Sequence, residues 1–118
     1  MIDGIEYNDS TGYIGWASDE TLSFIKNDLR KVDPKMPIIL ISHIPLITLE
    51  AQLEKGALAG NHPMEVIGNS KEVLECFSAH SLSLVLQGHL HYYEKMEIMG
   101  ITLITGGAVS GAWWKGNY

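Results

Sequence analysis

The sequence predicts an α/β fold in which some strands pair in parallel. Two short apolar runs, residues 37–42 and 83–87, are typical of strands, and each follows a pattern typical of an amphipathic helix. The order along the chain is loop, helix, strand, loop, helix, strand and hairpin. Since parallel strands need a crossover, which a helix usually supplies, this order favours helices packed on a partly parallel sheet.

The first helix is predicted over residues 19–32. Ser18 is a suitable N-cap, and apolar residues recur after it at three- and four-residue spacings. Pro34 cannot continue a helix and marks its end. Residues 7–17 are rich in turn formers, so we interpret them as a loop that leads into this helix.

The two predicted strands are separated by a loop and a second helix. Residues 37–42 contain a short continuous apolar run rich in β-branched residues, which suits a strand buried on both faces, and residues 83–87, with apolar residues at 84–86, are interpreted as another buried strand. Residues 44–69 are interrupted by glycine and proline and are predicted to form a long loop. Ser70 is expected to cap a second helix that extends to about Ala79.

The last part of the chain is predicted to be a β-hairpin and a glycine-rich tail. Residues 92–98 and 101–105 are the two strands, and Met99-Gly100 is the turn between them. Trp113 and Trp114 in the tail could flank a substrate or cover the core, and packing is the favoured interpretation.

Composition excludes several classes of protein. With 118 residues and 46% hydrophobic content, the chain is long enough for one compact domain and too apolar to be disordered. The net charge is -6 and no basic run occurs, which argues against a dedicated nucleic-acid surface. No apolar stretch approaches the roughly 20 residues of a membrane span. A single cysteine, Cys76, excludes an internal disulfide framework.

Three histidines follow the predicted strands. His43 comes directly after the first strand, and His89 and His91 come after the second, in a Gly-His-Leu-His segment that begins at Gly88. Ligands in open α/β sheets gather beyond the carboxyl ends of strands, and imidazole is the commonest neutral metal ligand. We therefore expect the three imidazoles to lie together, where they could bind a metal ion, with Gly88 permitting the sharp bend that this requires. A His-x-His pair alone is a weak signal, which a surface or core histidine pair would explain about as often.

Two segments carry a more specific resemblance. Residues 42–46, Ser-His-Ile-Pro-Leu, and residues 86–91, Leu-Gln-Gly-His-Leu-His, resemble the last two signature motifs of the calcineurin-like metallophosphoesterases. The likeness covers nearly all of the chain. It implies half of a metallophosphoesterase-type α/β sandwich, a mixed sheet with flanking helices, so that residues 1–118 are a single partial domain, the C-terminal half.

The resemblance also implies a metal content and a ligand set. Two divalent ions, of manganese, zinc or iron, would be held, with His43 and His89 on one ion and His91 on the other. The family's other motifs do not occur: the sequence has no Asp-x-His and no Gly-Asp pair. No catalytic or substrate-binding residue is therefore assigned.

Two other histidines are excluded from the site. Gly60-Asn61-His62-Pro63 spells the first letters of a further family motif, but it follows the His43 strand instead of preceding it, and Pro63 replaces an acid. We interpret it as a turn. His80 ends a helix pattern, where a polar or cationic side chain suits the helix dipole, so its role is interpreted as structural.

Three functions are compatible with these observations. The first is the C-terminal portion of a two-metal phosphomonoesterase or phosphodiesterase that is inactive alone, whose complete form would cleave a small-molecule phosphate ester. The second is a noncatalytic remnant that self-associates, or binds a partner, through the surface that the missing half would cover. The third is a mononuclear zinc hydrolase in which all three histidines face one tetrahedral ion.

Overall fold

The computed structural model describes residues 1–10 and 12–108, so Trp113 and Trp114 of the predicted tail lie outside the described residues. No helix in the described ranges is both long and apolar enough to span a bilayer. The elements in chain order are β1 (Ile5–Asn8), β2 (Gly12–Gly15), α1 (Asp19–Leu29), β3 (Pro37–Ile41), α2 (Glu50–Lys55), α3 (Ser70–Cys76), β4 (Ser81–Gln87), β5 (Glu94–Ile98) and β6 (Ile101–Thr105).

The main sheet is mixed, with the strand order β3-β4-β6-β5 among the described residues. β3 pairs with β4 in parallel, and β4 pairs with β6 in parallel. β5 and β6 form an antiparallel hairpin. The predicted α/β fold, a mixed sheet with flanking helices, is confirmed.

Helix α1 begins where the sequence predicts and ends earlier. The Ser18 hydroxyl accepts a hydrogen bond from the Thr21 N–H at 3.2 Å, as expected of an N-cap. The predicted end at Val32 is wrong, because Lys31 and Val32 donate to carbonyls three residues back, at 3.0 and 3.1 Å, in a tightened turn. The helix therefore stops at Leu29.

The predicted loop over residues 7–17 is largely a hairpin instead. β1 and β2 pair antiparallel from Ile5 opposite Gly15 onward. The hairpin packs against the segment before α3, where the Gly15 N–H donates to the Pro63 carbonyl at 2.8 Å. A Cβ at Gly15 would lie 2.1 Å from the Val66 carbonyl oxygen, so glycine permits this close approach.

The N-cap position of helix α3 lies one residue earlier than predicted. Ser70 is its first helical residue, and Asn69 occupies the cap position. The Asn69 side chain is buried and makes two 2.9 Å hydrogen bonds to the backbone of Ala17, accepting from its N–H and donating to its carbonyl. Asn69 thereby joins the start of α3 to the segment that enters α1. Part of the predicted long loop also forms the short helix α2.

Within residues 1–10 and 12–108, helices pack on one face of the main sheet and leave the other face open. Leu40, Val85 and Leu103 point into the core that α1 and α3 help to form. The prediction that β3 is buried on both faces is wrong, since Ile39 is 57% exposed and Ile41 is 42% exposed. Their partners across the sheet share the same side because side chains alternate along a strand. We call this surface the open sheet face; it comprises Ile39, Ile41, Leu84, Leu86 and Ile104.

The C-terminal hairpin is confirmed. Met99 and Gly100 both have positive φ, 54° and 81°, the combination that a two-residue type I′ turn requires. β5 begins at Glu94, two residues later than predicted. The preceding residues remain irregular and belong to the site at the carboxyl edge of the sheet.

Candidate functional site

The structure brings His43 and His89 into contact. β3 and β4 are parallel neighbours, so their carboxyl ends open onto the same edge of the sheet. The two imidazole rings have centroids 5.2 Å apart and meet edge to face at 71°. The Gly88 N–H donates to the His43 carbonyl at 3.0 Å, which ties the two segments together at this point.

The sharp bend after β4 lies at the histidines and not at Gly88. His89 and His91 have φ values of 70° and 62°, in the left-handed region, whereas Gly88 is absent from the positive-φ residues of the described chain. A Cβ on Gly88 would meet the His43 carbonyl oxygen at 3.6 Å, an ordinary contact. The expectation that Gly88 supplies the bend is therefore wrong. Left-handed residues with large side chains are costly and concentrate at functional sites.

The orientation of the His89 ring is set by a backbone carbonyl. Nε2 of His89 lies 3.0 Å from the Met64 carbonyl oxygen, which can only accept, so Nε2 carries the proton. Nδ1 is then the nitrogen with a free lone pair. Tyr13 approaches from the β1–β2 hairpin, with its hydroxyl 3.5 Å from Nε2 and its ring edge-on to the imidazole.

The electrostatic environment favours neutral His89. Burial lowers the pKa of His89, and the neighbouring His43 and His91 lower it further, although the bond to the Met64 carbonyl and the Glu65 carboxylate act in the opposite direction. Neutral imidazole is the form that binds a metal ion. His91 is half-buried and near enough to His89 to influence its protonation.

The other histidines lie in different surroundings. His62 is exposed, and its Nδ1 accepts from the Met64 N–H at 3.2 Å within its own turn. His80 precedes β4, and its Nε2 donates to the Leu29 carbonyl at 3.1 Å, at the end of α1. That position is at the opposite end of β4 from His89. The role of His80 is structural, but at the end of α1 and not of its own helix α3, which stops at Cys76.

The described residues do not by themselves fit a complete metal centre. Within residues 1–10 and 12–108, no group of at least three His, Cys, Asp or Glu side chains is arranged to hold a metal ion. Glu65, the carboxylate that acts on His89, accepts from the His62 N–H at 3.1 Å. A two-metal centre needs carboxylates to bridge and neutralise the ions, and a three-histidine zinc site needs three converging imidazoles. Neither arrangement is present in this part of the chain.

Gln87 organises the loop that follows His43. Its buried side chain accepts from the Leu46 N–H at 3.1 Å and donates to the Ile47 carbonyl at 2.6 Å. The same amide nitrogen donates to the Thr105 hydroxyl at 3.0 Å. Gln87 thus connects the ends of β4 and β6 to the segment after β3, and holds the edge of the sheet on which the histidines lie.

A second polar network lies beside this edge. The hydroxyls of Tyr92 and Thr48 are hydrogen-bonded, and the Tyr92 hydroxyl donates to Glu94 at 3.3 Å. Glu94 also accepts from the Leu49 N–H at 3.0 Å. Burial, together with the nearby carboxylates, raises the pKa of Tyr92 to about 12, so the phenol stays protonated as a donor.

Comparison with known proteins bears on the fold. No family model and no curated protein sequence matches this chain. The crystal structure of a dimetal phosphatase from Danio rerio aligns with it at a TM-score of 0.57 and 21% sequence identity. The chain has a metallophosphatase-like fold. The alignment covers 77% of this chain and only 27% of that one, so the chain corresponds to a minor part of that phosphatase.

Sequence patterns did not indicate several residues of the site. Tyr13 lies in a segment predicted to be a loop, and Met64 contributes a main-chain atom that no residue type would indicate. Gln87 stood in an apolar run as a strand residue, although a polar side chain inside such a run is a signal for a buried hydrogen-bonding role.

Proposed function

We propose that this chain is the C-terminal portion of the catalytic domain of a metal-dependent phosphoesterase and is inactive alone. In the complete enzyme His43 and His89 would ligate one divalent ion and His91 a second. The observation that carries the proposal is the contact between His43 and His89 at the ends of parallel strands, with the centroids of their imidazole rings 5.2 Å apart. The dimetal phosphatase with the same type of fold supports it.

The proposed substrate class rests on the likeness to a phosphatase, and the charge of the chain indicates why cations would be needed to bind such a substrate. A phosphate ester is anionic, and this chain has a net charge of -6 without a basic run, so it cannot attract phosphate through its own lysines and arginines. Cations held at the carboxyl edge would supply the missing positive charge. The proposed substrate is a small phosphomonoester or phosphodiester.

The contribution of this chain is to place and orient imidazoles. The Met64 carbonyl holds the proton of His89 on Nε2, and the lowered pKa keeps the ring neutral near pH 7. Since this sequence has no Asp-x-His and no Gly-Asp pair, the carboxylate ligands and the leaving-group acid of the proposed enzyme would come from polypeptide outside residues 1–118. Isolated from them, the three imidazoles should bind a metal pair poorly.

The first experiment measures hydrolysis of a chromogenic phosphodiester by the purified chain with added manganese, zinc or iron. We expect only traces of turnover, since each lost ligand or acid costs about a hundredfold or more in rate. The His89→Ala variant controls for contaminating phosphatases. Robust metal-dependent turnover that disappears in this variant would show that the chain is sufficient, and the proposal of an incomplete centre would be abandoned.

The second experiment uses the longer protein, if genomic sequence upstream of Met1 contains Asp-x-His, Gly-Asp-x-x-Asp and Gly-Asn-His-Asp/Glu in frame. We expect metal-dependent phosphoesterase activity that falls by about a hundredfold or more in His43→Ala and in His89→Ala. His80→Ala is the matched control, because His80 lies at the opposite end of β4. Equal losses in all three variants, or none in the first two, would refute the assignment of the ligands. Absence of all three upstream motifs would favour the second candidate below.

That second candidate is a noncatalytic module that associates with itself, and it is favoured by the open sheet face. Ile39, Ile41 and Leu86 are exposed there on adjacent strands. Lys95 and Glu97 form a 3.2 Å ion pair on β5, which β6 separates from β4. Opposite charges at this rim can pair with their equivalents across a two-fold axis. A second copy is the proposed occupant. Sedimentation that shows a monomer at all accessible concentrations would rule it out.

A further inference from the structure

The free edge of β3 already carries the beginning of a parallel pairing. β3 is the terminal strand of the sheet in the described residues, with β4 on one side only. On the other side, Ile2 forms an isolated parallel bridge with Ser42, and the Ile2 N–H donates to the Ile41 carbonyl at 2.9 Å. The chain therefore arrives at Ile2 running in the same direction as β3.

The bridge shows which main-chain N–H and C=O groups of β3 point towards its unpaired edge. The N–H and C=O of one residue point to the same side of a strand, so those of Ile41 and Ile39 point away from β4. Extension of the parallel pattern would place the residue ahead of Met1 between them. Its carbonyl would accept from the Ile41 N–H, and its N–H would donate to the Ile39 carbonyl.

Side-chain space exists along the same line. A groove of about 160 Å³ runs between α1 and β3 beside Ile2, and its apolar lining includes Phe24, Leu29, Val32 and Ile38. Ile2 is buried, whereas Met1 is 90% exposed. Because side chains alternate, the residue ahead of Met1 would point into this groove, as would every second residue before it.

We propose that the edge of β3 is a docking site for an extended strand that runs parallel to β3 and is covalently continuous with Met1. Its chemistry is defined by the groove: apolar side chains at alternate positions, beginning with the residue adjacent to Met1. The strand would satisfy the edge groups of β3 and cover Phe24, which is 57% exposed. This proposal rests on the proposed function in requiring polypeptide ahead of Met1, but it involves none of the histidines, so the test below does not depend on phosphoesterase activity.

The test adds short extensions ahead of Met1 and leaves residues 1–118 unchanged. The extension Thr-Val-Thr-Val places valines in the groove, and the control Val-Thr-Val-Thr has the same composition with the register slipped by one residue. Hydrogen exchange of the Ile39 and Ile41 amides is followed by NMR, together with the thermal midpoint. We expect exchange slower by at least about tenfold and a higher midpoint with the first extension only.

Three outcomes would overturn the proposal. Equal exchange rates in the bare chain and both extended chains would show that the edge does not accept a strand. Protection that increases with protein concentration in the bare chain would assign the edge to a second copy. Equal protection by the free peptide Thr-Val-Thr-Val-Met, added at the concentration of the protein, would assign it to a separate polypeptide, since a linked strand acts at about millimolar effective concentration.

Discussion

At positions 89 and 91, the glycine variant should be more stable than the alanine variant. This is the reverse of the order expected in the middle of a helix or strand. His89 and His91 have φ values of 70° and 62°, a region in which a Cβ is unfavourable and glycine is not. His→Gly and His→Ala remove the same imidazole and the same contacts. The difference in the free energy of unfolding between the two variants therefore isolates the backbone conformation.

The magnitude follows from two opposing effects. A left-handed conformation costs alanine about 1–2 kcal/mol. Against this, glycine loses more conformational freedom on folding, which costs about 0.5–1 kcal/mol relative to alanine. The glycine variant should thus be more stable by about 0.5–1 kcal/mol at each position. At Ser23, exposed in the middle of α1, the order should reverse, with alanine more stable by about 1 kcal/mol.

The assay is urea unfolding followed by circular dichroism, with all pairs compared at a common denaturant concentration. An alanine variant as stable as its glycine counterpart at both histidine positions would refute the backbone assignment. The expected order would show that residues 89 and 91 are held in a backbone conformation that is unfavourable for a residue with a Cβ, as is common at functional sites.

Three further predictions concern the fold and the surface. Asn69→Ala should lower the free energy of unfolding by about 2–4 kcal/mol in a denaturant titration, because the buried backbone of Ala17 loses both partners, and an unchanged midpoint would show that these two bonds do not stabilise the fold. The Tyr92 phenol should ionise near pH 12, measured as the difference between the absorbance titrations of the wild type and of Tyr92→Phe. Because folding raises this pKa from 10.0, the contribution of Tyr92 to stability is complete below pH 10 and is lost as the pH rises towards 12. Ile39→Lys should shift the chain towards monomer in sedimentation, and an unchanged distribution would exclude the open sheet face as the dimer surface.

Local sequence was sufficient wherever the deciding interactions are short in range. Ser18 caps α1 through a bond to a residue three positions later, and Met99-Gly100 closes a hairpin by its own backbone preferences. The meeting of His43 and His89 was also predictable, because residues that end neighbouring parallel strands must share an edge of the sheet. That prediction required only the observation that each histidine follows a predicted strand.

Only the tertiary structure decided features that depend on contacts between distant segments. Asn69 rather than Ser70 occupies the cap position of α3, and its side chain is held by the backbone of Ala17, 52 residues away. Ile39 and Ile41 are exposed because the described helices pack on the other face of the sheet. The same apolar run would suit a strand covered on both faces, so the sequence could not distinguish the two.

The site shows the same division. The sequence by itself determined which imidazoles gather at the carboxyl edge, since strand order along the chain brings His43 and His89 there. Tertiary structure decided how they are held: the Met64 carbonyl selects the protonated nitrogen of His89, and Tyr13 reaches it from a hairpin 76 residues away. Every residue has a main-chain carbonyl, so the residue type does not indicate that Met64 would contact His89. The contact of Tyr13 with a residue 76 positions away depends on tertiary packing, so a local sequence pattern does not predict it.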